Sequence, residues 1–245
     1  GAGTQFVSCK PSGLTNVTKI FSTKQAFAAL MDDGSVKAWG NLDYGGADPG
    51  ITSGVVTIFS TWYAFAALKS DGSVQVWGAS SYGGSDPGIT SGVVDIVSNR
   101  DAFAALKSDG SVKAWGNSDR GGTDPGITSG VVEIFSNWYA FAALKTDGSV
   151  QVWGDSGKGG TDPGITSGVT KIFSTFDAFA ALKSDGSVQV WGNSNSGGTD
   201  PGIGAGSGIT EIFSTGGVFA AITSPSLAYG SLVAGSSYSL AKGSL

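Results

Sequence analysis

The block Gly-Ser-Val-x-x-Trp-Gly begins at Gly34, Gly72, Gly110, Gly148 and Gly186, 38 residues apart each time. A second block, Ile-x-Ser-x-x-x-x-Phe-Ala-Ala, begins at Ile20, Ile58, Ile96, Ile134, Ile172 and Ile212, and only its last interval is stretched, to 40. Asp-Pro-Gly recurs at Asp48, Asp86, Asp124, Asp162 and Asp200. A chain copied at this period consists of one supersecondary unit whose apolar surface is covered only when neighbouring copies stack on it. The content of one unit therefore decides the fold.

Each unit reads as strands. Residues 131–136, Val-Val-Glu-Ile-Phe-Ser, are rich in β-branched and aromatic side chains; 140–145, Ala-Phe-Ala-Ala-Leu-Lys, form a short apolar run; 149–154, Ser-Val-Gln-Val-Trp-Gly, alternate. Asp-Gly between the second and third runs is the signal of a tight hairpin turn. Asp-Pro-Gly pre-sets φ at Pro and permits positive φ at Gly, which predicts a turn in the connection to the next unit. With 41 Gly, 13% charged residues and turns this frequent, helix has no place to form.

The Ala-Phe-Ala-Ala-Leu run constrains packing. Ala26, Ala28 and Leu30 point one way, Phe27 and Ala29 the other, so both faces are apolar and most side chains are small. A strand of this kind belongs where sheets converge, which predicts an all-β fold, a β-propeller of 38-residue blades with this run as its inner strand. Trp39, Trp77, Trp115, Trp153 and Trp191 are expected to pack between adjacent blades.

Residues 181–198, Ala-Leu-Lys-Ser-Asp-Gly-Ser-Val-Gln-Val-Trp-Gly-Asn-Ser-Asn-Ser-Gly-Gly, resemble the repeat of the regulator of chromosome condensation family, whose units carry Ala-Leu-x-x-Asp-Gly-x-Val-x-x-Trp-Gly-x-Asn-x-x-Gly-Gln. The compact form is most similar to the secreted propeller inhibitors of β-lactamases. The resemblance spans residues 20–230 and implies seven blades. This sequence departs from it in having Gly-Gly where the family has Gly-Gln, and in lacking long inserts.

The chain reads as one domain over 1–245. Residues 20–230 hold six units, the last degenerate, with Ser226–Gly230 as a worn copy of the Trp-bearing strand. Residues 1–19 and 231–245 are expected to supply a seventh blade from the two chain ends. Between Gly230 and Val233 lie only Ser231 and Leu232, which favours the alternative of six blades plus one added strand. In a third arrangement a terminal strand leaves its own ring and completes a neighbour's.

The composition excludes much chemistry. There is no His, Cys9 is the lone cysteine, and Glu occurs twice, so Ser-His-Asp and Cys-His arrangements and ordinary zinc sites are out of reach. No enzyme, cofactor or metal is expected. Cys9 is read as a small buried apolar residue, with an unpaired thiol as the alternative. Net charge −5, and Arg only at 100 and 120, argue against nucleic acid. No apolar run reaches the ~18 residues of a membrane helix, so no membrane insertion is expected. The start at Gly-Ala-Gly suggests a processed or excerpted product, and abundant Gly, Ser and Thr suggest a secreted or cell-surface protein. Asn16-Val17-Thr18 matches a glycosylation sequon.

Against this copying, two loops vary. Before Ala-Phe-Ala-Ala-Leu stand Lys24-Gln25, Trp62-Tyr63, Arg100-Asp101, Trp138-Tyr139, Phe176-Asp177 and Gly216-Gly217. After Trp-Gly stand Asp43-Tyr44, Ser81-Tyr82, Asp119-Arg120, Gly157-Lys158 and Asn195-Ser196. Loops at blade ends are free to differ, and every copy of the first pair is expected at one rim. Lys24, Gln25, Tyr44, Trp62, Tyr63, Tyr82, Arg100, Asp101, Arg120, Trp138, Tyr139, Phe176 and Asp177 are the candidate partner-binding residues, since aromatics and Arg dominate interface energetics. The resemblance to the inhibitors, which hold their target enzymes through aromatics in the corresponding loop, implies a protein partner. The competing expectations are self-assembly into an extracellular fibre or adhesive array and, less favoured, carbohydrate binding.

Overall fold

The computed structural model describes residues 14–223. Five three-stranded antiparallel sheets and one two-stranded sheet follow one another along the chain. Blade one comprises Val17–Ser22, Ala26–Met31 and Val36–Gly40; blade two Val55–Ser60, Ala64–Lys69 and Val74–Gly78; blade three Val93–Ser98, Ala102–Lys107 and Val112–Gly116. Blade four comprises Val131–Ser136, Ala140–Lys145 and Val150–Gly154, and blade five Val169–Ser174, Ala178–Lys183 and Val188–Gly192. Blade six has Ile209–Ser214 and Phe219–Thr223. Of the residues expected to close the ring, 1–13, with Cys9 among them, and 231–245 lie outside the described residues, as does the worn copy Ser226–Gly230, while Val17–Lys19 belong instead to the first strand of blade one.

The Ala-Phe-Ala-Ala-Leu run is the middle strand of each sheet, not the inner strand that its composition suggests. The inner position belongs to the Val-x-x-Ile-x-Ser strand: the Ser60 hydroxyl donates to the Ser22 carbonyl at 2.8 Å, Ser98 to Ser60 at 2.8 Å and Ser136 to Ser98 at 2.9 Å. Burial on both faces has a simpler origin than crowding at the axis. A middle strand has a partner on each edge and a neighbouring sheet on each face.

The two faces of a blade differ, and the difference holds the blades together. Phe65 pairs with Trp77 across the sheet, their rings stacked with centroids 5.1 Å apart, and with Ile58 and Ala67 they form a bulky face. Ala26, Ala28, Leu30, Val36 and Ala38 form the shallow face of the preceding blade, on which those rings lie. Small side chains opposite large ones let the layers reach interior density without voids. Burying each such ring contributes about 1.5–3 kcal/mol. Each Trp also donates to the blade before it: Trp77 Nε1 to the Gly45 carbonyl at 3.1 Å, Trp115 to Gly83 at 3.2 Å, Trp153 to Gly121 and Trp191 to Gly159 at 3.1 Å.

Blade one shows what happens without a preceding neighbour among the described residues. Ile20 is 56% exposed where Ile58 is 2%, and Phe27 is 47% exposed where Phe65 is fully buried. At the other end, Phe213, Val218 and Ile222 of blade six are exposed.

Turn chemistry matches the sequence. Gly72 sits at φ 75° in the hairpin, and the Asp71 carboxylate accepts from the Ser73 N–H at 2.9 Å and hydroxyl at 2.6 Å. Asp48 accepts from the Gly50 N–H at 3.1 Å, after which Ile51 turns inward and its carbonyl accepts from Val36 N–H. The double glycine has a steric cause. A Cβ at Gly83, φ 104°, would lie 2.5 Å from the ring of Phe103, and one at Gly84 would lie 2.3 Å from the Gly78 carbonyl oxygen.

Gly83→Ala, which drives a methyl into a buried ring at positive φ, is expected to cost about 2–4 kcal/mol. Gly88→Ala, also at positive φ but with nothing within 4 Å, is expected to cost about 1–2 kcal/mol. Equilibrium urea unfolding measures both.

The carboxyls of Asp33, Asp71, Asp109, Asp147 and Asp185 are held below their ordinary value of 3.8, first by the Ser hydroxyl two residues on and then by its N–H. A depressed folded-state pKa adds stability that is complete above the unfolded value and is lost as pH falls through the folded one. The thermal midpoint should therefore drop as pH falls from about 5 to about 2, and changing Asp71, Asp109, Asp147 and Asp185 together to Asn should flatten that slope.

Candidate functional site

The two variable loops meet because one residue per blade ties them. At Thr23, Thr61, Asn99, Asn137 and Thr175 a single side chain both accepts and donates. Asn137 Oδ1 accepts the N–H groups of Tyr139 and Ala140 at 2.8 Å each, while its Nδ2 donates to the Lys158 carbonyl at 2.6 Å. Thr61 accepts from the Ala64 N–H at 3.0 Å and donates to the Tyr82 carbonyl at 3.1 Å. Asn99 reaches the Arg120 carbonyl at 2.7 Å and Thr175 that of Ser196 at 2.9 Å. The second loop is a single 3₁₀ turn, as at Ser118–Arg120, opened by the Asn117 side chain accepting the Asp119 N–H. These clamps escape a reading of variable positions. Their signal is a position that alternates only between Thr and Asn, both able to donate and accept from one short side chain.

The first residues of the variable pairs form a collar around the axis, joined by backbone hydrogen bonds. Lys24 N–H donates to the Trp62 carbonyl at 3.0 Å, Trp62 to Arg100 at 2.9 Å, Trp138 to Phe176 at 3.1 Å and Phe176 to Gly216 at 2.9 Å. The side chains lean on one another. Lys24 Nζ lies 5.0 Å and the Arg100 guanidinium 5.3 Å from the Trp62 ring centroid. Trp138 meets Trp62 edge-on at 5.8 Å and stacks on Phe176 at 4.0 Å. Phe176 lies over Gly216, where a Cβ would come within 2.5 Å of its ring. Trp138 is 36% and Phe176 46% exposed, and behind them is a depression of about 420 Å³ at the axis.

The second residues form an outer layer with the 3₁₀ turns. Tyr44, Tyr63 and Tyr82 make an aromatic file with centroids 5.0 and 4.3 Å apart. Burial pushes the Tyr63 hydroxyl above its ordinary 10.0, with Tyr44 and the Asp101 carboxylate adding to the effect. Around Tyr139 the charges alternate: Arg100 Nη2 to Asp101 at 2.8 Å, Arg120 Nη1 to Asp155 at 2.8 Å and Lys158 Nζ to Asp177 at 2.9 Å, with Arg120 4.3 Å from the Tyr139 ring centroid. The Asp101 hydrogen bond raises the Arg100 pKa further. Gln25 holds the Asn41 side chain at 3.0 Å.

All thirteen residues singled out from the sequence thus gather at one end of the axis, but Asp101 lies beneath the surface, 2% exposed, as the counter-ion of Arg100. Lys158, from the second variable loop, joins them, as does Leu42, 70% exposed on the first 3₁₀ turn and unforeseen. Among the described residues there is no group of His, Cys, Asp and Glu that could hold a metal, and no helix long and apolar enough to cross a membrane.

No protein-family model matches the sequence, and no curated protein sequence matches it significantly. Solved structures do match the fold. The entire ectodomain of the receptor kinase CR4 from Physcomitrella patens superposes with a TM-score of 0.53 at 15% identity, over 80% of this chain and 57% of that one. Prp20p from Saccharomyces cerevisiae, the yeast RCC1, gives 0.49 at 18% identity over 72% and 57%. The fold is a β-propeller. The ectodomain of the receptor kinase ACR4 from Arabidopsis thaliana gives 0.48 at 14% identity over 87% and 79%. The propeller described here spans under two thirds of the CR4 and Prp20p chains.

Asn137→Ala strands two buried N–H groups and a carbonyl, and is expected to cost about 2–4 kcal/mol in urea unfolding. Asn137→Thr, the residue used by blades one, two and five, is expected to cost less than about 1 kcal/mol.

Proposed function

We propose that this protein is a non-catalytic extracellular recognition propeller that binds a protein partner through its collar. The observation that carries this reading is the stacked Trp138–Phe176 pair, which stays exposed although each ring is fixed by neighbours on either side. Rings already held in place lose little entropy on binding, the property of interface anchors. The cations of the outer layer support the same role. Arg100, Arg120 and Lys158 are each paired with a carboxylate of their own chain, so a partner meets a surface without large unpaired charge. The likeness of the fold to a receptor ectodomain accords with a secreted or cell-surface location.

The second reading is a structural subunit that assembles into a fibre or adhesive array. It is favoured by the apolar faces that the described residues leave exposed at both ends of the blade series, Ile20 and Phe27 on one side and Phe213 and Ile222 on the other. Under the recognition reading, the chain ends expected to supply a seventh blade cover those faces within the same molecule.

Two measurements separate the readings. Immobilised protein and its Trp138→Ser, Phe176→Ser variant are challenged with secreted proteins from the source organism and compared by quantitative mass spectrometry. Recognition predicts one or a few species retained at least about 30-fold less by the variant, the loss of a hot spot of ~2 kcal/mol or more. Sedimentation velocity over a concentration series should then show a monomer. Concentration-dependent polymers in both proteins, with identical retained species, would overturn recognition in favour of assembly.

A further inference from the structure

Two hydrogen-bond ladders run around the axial depression, and among the described residues both are incomplete beside the exposed rings. In the serine ladder Ser60, Ser98 and Ser136 each donate to the preceding blade, but among the described residues Ser174 makes no such bond to Ser136, nor Ser214 to Ser174. The next rung of the collar ladder, from Arg100 N–H to the Trp138 carbonyl, is likewise absent among the described residues. The Ser174 hydroxyl and Arg100 N–H are thereby left as donors, and the Ser136 and Trp138 carbonyls as acceptors. All four residues line the same depression as Trp138 and Phe176. Its volume, about 420 Å³, falls within the range of about 300–1,000 Å³ common to small-molecule sites.

We propose that this depression binds a neutral saccharide residue, a function beyond recognition of a protein surface that would use the same exposed rings, Trp138 and Phe176. A pyranose presents an apolar C–H face to an aromatic plate and hydroxyls that donate and accept from one atom, which suits alternating open donors and acceptors beside exposed rings. Charge agrees. Among the residues lining the depression the one ionic group is Arg100, and its Nε and Nη2 are directed at Asp101, which leaves Nη1, 3.4 Å from the Tyr139 hydroxyl, as a further donor. Blade-to-blade variation of the aromatic pairs argues against a sugar site in every blade. The open Ser174 hydroxyl and Arg100 N–H, with the Ser136 and Trp138 carbonyls, supply polar partners for a single site at the axis.

Saturation-transfer NMR tests this with methyl β-D-glucopyranoside, methyl α-D-mannopyranoside, methyl β-D-galactopyranoside and methyl N-acetyl-β-D-glucosaminide, each up to about 50 mM, the weak end of measurable affinity. At least one is expected to bind with saturation on its ring C–H protons. Ser174→Ala should weaken it about fivefold to tenfold, the worth of one hydrogen bond, and Phe176→Ala should abolish it. Both changes are at partly or well exposed positions, and the far-ultraviolet dichroism of each variant verifies its fold. Binding of none of the four, equal binding by both variants, or stronger binding of the blocked dipeptide acetyl-Gly-Pro-amide would overturn the proposal. The two readings fail separately: retention of protein species that carry no glycan, with no glycoside bound, supports the protein reading alone, and glycoside binding with no protein retained supports the sugar site alone.

Discussion

The structure depends on one contact repeated from blade to blade: a bulky Phe-Trp face laid on the shallow alanine face of the blade before it. The indole of Trp115 shows why it cannot be spread over other residues. Its ring stacks on Phe103 within its own blade, its outer surface fills the space above the preceding blade's alanines, and its Nε1 donates to Gly83 there. Packing, pairing and polar satisfaction meet in one side chain. Gly83 must lack a side chain because Phe103 occupies that volume, so the double glycine and the Trp-Phe pair constrain each other. A chain that repeats this contact must repeat its residues, which accounts for copying that leaves little but the loops to vary.

The freedom of those loops has its own structural cause. The Thr or Asn clamp satisfies the backbone on both sides of the variable pair and anchors the 3₁₀ turn through its carbonyl, so the loop keeps its path whatever the pair carries. Collar hydrogen bonds run through backbone atoms and ask nothing of the side chains. Trp, Arg, Phe and Gly can thus occupy equivalent positions. Position is supplied by the scaffold and chemistry by the variable residue.

Much of this was legible in the sequence because it is periodic. The period, the Asp-Gly and Asp-Pro-Gly turns, the Trp between blades and the gathering of the variable pairs at one rim follow from residues that recur. What was misread concerns context that a single repeat does not carry. The Ala-Phe-Ala-Ala-Leu run is apolar on both faces whether it lies at the axis or in the middle of a sheet, and alternation cannot tell the two apart. Asp101 looks like any charged loop residue until Arg100 and Arg120 close over it, a coincidence of two loops 19 residues apart from Asp101 to the second Arg. The clamps were overlooked because they are nearly invariant, so attention to variation passes over them.

Near-identical blades would give the axis equivalent environments, and equivalence works against a specific site, because a ligand could then sit in as many orientations as there are blades. The variable pairs remove that degeneracy. Lys24 and Arg100 flank Trp62, Trp138 turns to Phe176 on the other side, and Gly216 leaves the bare surface on which Phe176 rests. The collar ladder is broken between Arg100 and Trp138, and among the described residues the serine ladder stops after Ser136, beside the Trp138–Phe176 pair. Symmetry in this molecule therefore belongs to the blade contacts, where repetition is what stability requires. Asymmetry is confined to the collar, where recognition requires that one direction around the axis differ from the rest.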